Sequence, residues 1–562
     1  MPGKKNNIIE YSLYALAFAL PLIFYPGAKD TFLIKAAVLS AVIMFLAAYV
    51  LVRKIELETT RVTLPVCVFS AVLLLSLINS KNVTVSVHAL VEQLVFLAAC
   101  IFAAGYGNAG FRKKFFTISA LSGFMVCLYG ILQWLGLDFV KWATNFEGRI
   151  SSSVGNPNFL SGYLVAAIPL SAVLSITAGT AFRKIFFCIN TALMLLALLL
   201  TQTRGSWIAF SFSAAVFAVI TAALAGRSKL PLVITACLIV AAGFYALRFD
   251  NVYTRKFRSI FNPNVASVSE RIFKWRTARE MIKDHPVLGV GIGAIKVNYA
   301  IYQAEAKKKM KIVLRGTSES QVHNEYLQVW AETGTAGLAA FVFILVTFFM
   351  NAFRSLRERG HSMPWLTIGI ISAVSGLLVD SLSNFPLHIV PTSFLFWSYT
   401  GMSFRTGAKE HKSFALKQPL LRTVLVFFIA VIFIKAVFNE FAADLHRRSA
   451  DLAFEAGDWK GAIAGYRKAH GYSPVNGRIC YDLGMAYVNK KDYPSAVKAF
   501  RESIRIRNYG EVYNDLANCN YLLGDIPEAI KNWEIAVQLE LPDSDAQEKV
   551  RHNLRLLKKE PQ

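Results

Sequence analysis

The chain has 562 residues, of which 55% are hydrophobic and only 17% charged, and its mean hydropathy is +0.43. Apolar surface on that scale, gathered in lipid-length runs, excludes a soluble globular enzyme of this size. The net charge of +24 comes from basic residues scattered between those runs. It points to cytoplasmic loops and to anionic lipid or phosphate rather than to nucleic acid.

Runs long enough to cross roughly 30 Å of hydrocarbon lie near 8–25, 31–52, 62–78, 84–106, 115–137, 158–178, 185–203, 207–225, 231–247, 334–353, 364–382, 387–402 and 421–438. The expected fold class is therefore all-α, with a polytopic membrane domain of roughly thirteen spans over residues 1–440. The first run reads as a retained span, since others follow it and no small-residue cleavage site is evident. Five of the seven cysteines lie in these runs, where cysteine behaves as a small hydrophobe. A disulfide between the other two, Cys480 and Cys519, is conceivable, but an isolated pair implies little.

Alternate short loops carry the positive charge. Lys4 and Lys5 precede the first span. Then come Arg53, Lys54 and Arg61; Arg112, Lys113 and Lys114; Arg183 and Lys184; Arg227 and Lys229; Arg354, Arg357 and Arg359; and Arg405, Lys409, Lys412 and Lys417. The positive-inside rule then puts the N-terminus in the cytoplasm. An odd number of spans puts three segments outside: the 138–157 loop, the charged 248–333 loop and everything after about 440.

On that topology His88, Glu92, Arg204, Asp380, His388 and Lys435 all fall in the outer half of their helices or at the outer rim. Ionisable groups inside a membrane are expensive and mark functional sites by default. Any one of them, Lys435 above all, could be a snorkelling or helix-packing residue; together they suggest a polar cavity opening outward. Arg204, in TQTRGSW, has almost no loop to hold it and needs an anion. That anion is either Glu92 or Asp380, or a lipid phosphate suited to the planar guanidinium fork.

In the long loop, Ser267 to Glu270 form a capping box for a helix running to about Lys283, stopped by His285-Pro286. Ile272, Trp275, Arg279 and Ile282 form one stripe of that helix, and Arg271, Lys274 and Arg276 make it basic. Gly289, Gly291 and Gly293 in LGVGIGA fail as a dinucleotide fingerprint, because no βαβ unit surrounds them; close backbone packing accounts for them better. His323 and Asn324 stand just before a helix leading into the next span. A lone histidine is commonly a packing or capping residue, yet imidazole is also the side chain poised to accept a proton near neutral pH.

The tail, 441–562, is a repeat domain. Ala462, Ala496 and Ala529 recur about 34 residues apart, as do Tyr466, Phe500 and Trp533, with Gly457, Lys491 and Gly524 at the turns. The period resembles the tetratricopeptide repeat, and three units are about the minimum for a continuous core. Asp543-Ser544-Asp545 spells an acidic motif found in metal-dependent glycosyltransferases, but a helix N-cap explains it better.

TQTRGSW, the RxxxW of Arg271 to Trp275, DHPVLGVGIGA and HNEYLQVWAETGTAGL resemble, in that order, the hallmarks of the bacterial O-antigen ligase family. That family also includes glycan polymerases and protein O-oligosaccharyltransferases. GRISSSVGNPNFLSGYL at 148–164 is similar to the family's earlier extracytoplasmic segment. The resemblance implies a metal-independent, inverting glycosyltransferase of the bacterial inner membrane that needs no cofactor. Its donor would be a glycan on undecaprenyl pyrophosphate, and its acceptor a hydroxyl of lipid A–core, of another glycan or of a protein. It implies that Arg204, Arg149 and Arg271 hold the pyrophosphate and that His323 is the base, with Glu92, Asn324 and Asp380 in support. The repeat domain suggests a protein partner as well. Two other classes fit less of the sequence. A lipid-linked glycan transporter needs no long outer loop with a histidine, and a membrane-anchored repeat scaffold needs only one or two spans.

Overall fold

The computed structural model describes residues 7–25, 31–58, 60–106, 108–140, 142, 146, 148–225, 248, 250–259, 266–310, 321–357, 364–403, 413–414, 418–433, 435, 438–539, 541 and 543–559. The expected run at 231–247 lies outside them, as do Lys4, Lys5, Arg227, Lys229, Arg359, Arg405, Lys409, Lys412 and Lys417.

The architecture is all-helical. The first part comprises α1 (Asn7–Leu22), α2 (Thr31–Arg53), α3 (Thr63–Leu75), α4 (Val83–Tyr106), α5 (Ala109–Trp134), α6 (Pro157–Thr177), α7 (Ala181–Leu200) and α8 (Arg204–Ala225). Next come α9 (Val252–Arg258), α10 (Ala266–Asp284), α11 (Ile295–Met310), α12 (Glu325–Arg357), α13 (Trp365–Asp380), α14 (Val390–Met402) and α15 (Pro419–Phe433). Among the described residues seven helices are long and apolar enough to cross a membrane: α2, α4, α5, α6, α7, α8 and α12. Four further apolar helices, α1, α3 with its following turn, α13 and α15, are shorter. Every residue of the thirteen-residue α14 is buried, so it is a central packing helix rather than a lipid-facing one.

One break in this set matters for the site. α12 bends at Gly334, whose φ of 67° lies in the left-handed region that a side chain resists. A Cβ there would run into the backbone of Val287, and a Cβ on Gly289, also at φ 67°, would strike the backbone of Glu332. The Gly289–Gly293 segment therefore lies directly on α12, and the Gly291 N–H donates to the Glu332 carbonyl at 2.9 Å. Close backbone packing is what these glycines permit. The only sheet pairing among the described residues is a two-residue antiparallel one, Leu57–Glu58 with Ser413–Phe414.

The tail forms α16 (Asn439–Glu455), α17 (Trp459–Tyr472), α18 (Gly477–Asn489), α19 (Tyr493–Ile506), α20 (Gly510–Leu522), α21 (Ile526–Leu539) and α22 (Ser544–Lys559). Its three turns are alike. Gly457, Lys491 and Gly524 have φ of 78°, 63° and 81°, and Asp458, Asp492 and Asp525 accept hydrogen bonds from the first turn of the helix that follows. Ala462, Ala496 and Ala529 are fully buried, and Tyr466, Phe500 and Trp533 nearly so. Cys480 and Cys519 are both free thiols, so no disulfide links them. Asp543 accepts from the Asp545 N–H at 2.9 Å, a capping contact at the start of α22.

Candidate active site

The segment 148–150 is strapped onto the α7–α8 turn. Gln202 Nε2 donates to the Gly148 carbonyl at 2.9 Å, and Arg149 reaches the Thr201 carbonyl through Nε (2.8 Å) and Asn158 Oδ1 through Nη2 (2.9 Å). The first residue of α8 is Arg204, whose Nη1 donates to Ser259, to its carbonyl at 2.9 Å and to its Oγ at 2.7 Å. Ser259 ends α9, the helix that carries Lys256. Burial presses the Arg149 guanidinium below its ordinary pKa; burial, then the charges of Arg149 and Arg204, lower that of Lys256. Arg271 is lowered by burial and then by Arg204, while Asp380 and Glu270 work the other way. Arg149, Arg204, Lys256 and Arg271 thus form one mutually repelling group of cations drawn from four separate segments. Such a group is suited to an anion with several oxygens.

The turn after α13 holds this group together. Asp380 is buried, and its Oδ1 accepts from Ser206 Oγ and from Asn384 Nδ2, both at 2.8 Å. Asn384 Oδ1 in turn accepts from Arg271 Nη2 at 3.2 Å. Asp380 therefore orients Arg271 through an amide. Of the two carboxylates offered as company for Arg204, it is Asp380 that joins the arginines, by this relay. Glu92 stands elsewhere, with His88 and Lys296 in a separate cavity.

His323 lies beside the cations. Its φ of 57° is a left-handed conformation, and its carbonyl accepts from Trp275 Nε1 at 3.4 Å. The ring meets Phe385 edge-on, with centroids 4.8 Å apart, and its buried Nδ1 has no hydrogen-bond partner among the described residues. Burial first, then the charges of Lys274 and Arg271, push its pKa down to about 3. The imidazole is thus held neutral at physiological pH, as a proton acceptor must be. Asn324 caps α12 by accepting from the Leu327 N–H at 3.0 Å, and it ties the cap to the Leu382 carbonyl at 3.1 Å.

The structure therefore brings together Arg149, Arg204, Arg271, His323, Asn324 and Asp380, and leaves Glu92 apart. The sequence reading missed Lys256, Asn384 and Glu325. Lys256 was signalled by the basic run Arg255–Arg258. Glu325 starts a row with Gln328 and Glu332 along one side of α12, and a polar row on a helix entering a span was the available clue. It accepts from the Leu387 N–H at 2.7 Å and pairs with His388 Nδ1 at 3.0 Å.

These features define a helical membrane protein with a cationic, histidine-bearing site where its loops meet its helices. Residues 189–342, the stretch that carries Arg204, Arg271 and His323, match the O-antigen ligase family model. An uncharacterized protein of Haemophilus influenzae is 27% identical over 128 residues. That similarity spans 23% of this chain and 31% of the relative's length. Among solved structures, the TPR2AB domain of yeast Sti1 in its pHSP90 complex aligns at 11% identity, over 52% of this chain and 99% of that one. Its TM-score is 0.20, too low to carry any argument.

Proposed function

We propose that this protein is a glycan transferase of the O-antigen ligase type. It moves a saccharide from undecaprenyl pyrophosphate to an acceptor hydroxyl on the extracytoplasmic face of the bacterial inner membrane. The observation that carries the reading is the convergence of Arg149, Arg204, Lys256 and Arg271 beside a histidine held neutral. The cations would bind the pyrophosphate and stabilise the charge that grows on it as it leaves. The acceptor oxygen bonds to the anomeric carbon as the bond from that carbon to the pyrophosphate oxygen breaks. The electron pair departs with the pyrophosphate, and the hydroxyl proton passes to His323. A single displacement inverts the anomeric carbon and needs neither metal nor cofactor.

In this reading residues 1–440 make a domain of roughly thirteen spans, and 441–562 a three-unit tetratricopeptide-type solenoid. The equivalent turns and buried alanines support the solenoid. The N-terminus is cytoplasmic and the repeat domain is extracytoplasmic. Pairing of the 57–58 and 413–414 segments, both in basic loops, is in keeping with that topology.

The test is purified protein with an undecaprenyl-pyrophosphate glycan, binding and transfer being measured separately. His323→Ala and His323→Gln should leave donor binding nearly intact and lower transfer by about 10²–10⁴-fold. Arg204→Lys keeps the charge but loses the bidentate fork, so donor use should weaken, and further in Arg204→Ala. Near wild-type transfer by His323→Ala would remove the base from the mechanism.

A further inference from the structure

Away from the arginines, the repeat helices dock onto the membrane helices. Val85 of α4, Val297 of α11, and Cys480 and Ile506 of the repeat units share one buried apolar cluster. Asn82 Nδ2 donates to the Arg505 carbonyl at 3.1 Å, and His88 Nε2 lies 3.4 Å from Glu440 Oε1. Two cavities meet behind this contact. One, of about 340 Å³, is walled on the repeat side by Asn476, Arg478 and Arg507. The other, of about 240 Å³, runs inward past Gln328 and Glu332 to Gln321 and Glu325, the residues two before and two after His323. His88, Glu92 and Lys296 line both, so they form the neck between them.

We infer that this passage admits the acceptor, that it takes the hydroxyl-bearing end of a saccharide chain, and that the repeat domain is one of its walls. The inference rests on the transferase reading above. Its chemistry differs from that of the arginine group. Lys296, Arg478 and Arg507 are interleaved with Glu92, Glu325, Glu332 and Glu440 along the two cavities, so the passage has no patch of one charge for an anionic lipid. Its inner part mixes amides and carboxylates with the rings of Phe69, Phe96 and Trp397. Buried Gln321 Oε1 finds no donor among the described residues, and a sugar hydroxyl can supply one. The volumes are those of a small-molecule site, too narrow for a folded protein loop. Donor pyrophosphate and acceptor hydroxyl would then reach His323 from two chemically distinct sides.

The test uses the full chain with Cys67 and Cys188 replaced by serine. Arg478→Cys is chosen because Asp482 keeps its 3.0 Å pair with Arg447. The donor is a fluorescent undecaprenyl-pyrophosphate oligosaccharide, and the acceptor probe is the oligosaccharide released from the same lipid. Alkylating Arg478→Cys with a bulky maleimide should raise the acceptor KM tenfold or more while donor Kd stays constant. Saturating oligosaccharide should slow the alkylation. Lys296→Met, made separately, should raise the acceptor KM in the same way without any modification. Transfer with an unchanged acceptor KM in both proteins overturns the passage. Acceptance of a serine peptide in place of the oligosaccharide overturns the saccharide assignment. A wild-type protein that binds no donor and transfers nothing fails the transferase reading instead, and this inference falls with it.

Discussion

At the scale of single residues, His323 combines a left-handed backbone, an unpartnered ring nitrogen and two cationic neighbours, and each has a consequence that can be measured. Its pKa is depressed to about 3, against an ordinary value of 6.5. Above 6.5 the ring is neutral in folded and unfolded chains alike, so it adds no pH dependence to stability there. As pH falls below 6.5 the unfolded chain takes up a proton that the folded site refuses, and stability declines down to the folded value. Transfer should accordingly show no loss from histidine protonation between about pH 5 and 8. Lys274→Gln removes one source of the depression and should move the acid limb of the rate profile upward. An unchanged limb would mean that Lys274 does not tune the base. Arg204, Arg271 and His323 were legible because each sits in a short ordered motif. Asn384 and Glu325 were not, because their roles come from contacts made by the 380–388 turn, far away in sequence. The choice between Glu92 and Asp380 as company for Arg204 was not legible for the same reason: proximity to one face of the membrane does not specify which helices are neighbours.

Individual elements were legible where periodicity or punctuation was strong. His285-Pro286 ends α10 at Asp284 as expected, but Ser267 is itself helical and so is not the N-cap of a capping box. Of the stripe Ile272, Trp275, Arg279 and Ile282, Ile282 is buried with Ala278 and Met281, and Trp275 packs against that cluster. The stripe's outer side lines a groove with Leu327 and Trp330. Lys35, inside the second run, also went unremarked. It is buried and donates to the Leu20 carbonyl at 3.1 Å and to that of Ile23, so it satisfies the open C-terminal end of α1. The repeat helices were the most legible, since a fixed period survives any uncertainty about neighbours. Their core is largely their own, from Ala443 to Cys519 and from Ala517 to Val550. Residues 441–562 expressed alone should therefore give a soluble, helical fragment that melts cooperatively. A fragment disordered by circular dichroism would show that docking on the membrane helices is needed for it to fold.

For the molecule as a whole, the decisive question is which side of the membrane each polar end faces, and charge alone supplies the sequence argument. Basic clusters alternate along the short loops, and on the proposed topology the cationic site, the passage and the repeat helices all fall on the opposite side from those clusters. Two sets of contacts bear on this. The repeat helices touch the start of α4 through Asn82 and His88, the same end that carries Glu92. The 57–58 and 413–414 segments, from two basic loops, pair with each other. One undetected span among the shorter helices would invert everything after it, so the alternation can be tested at intervals along the chain. In a cysteine-free background, single cysteines at positions 110, 228 and 410 should resist a membrane-impermeant thiol reagent in spheroplasts. Those at 315 and 560 should react. Protection of 560 together with reaction at 410 would put the repeat domain in the cytoplasm. It could not then wall a passage to a histidine on the other side. Reaction at 110 together with protection at 315 would turn the arginine group inward, away from a lipid-linked donor displayed outside. The expected pattern is the only one that puts donor, base and repeat domain in a single aqueous compartment.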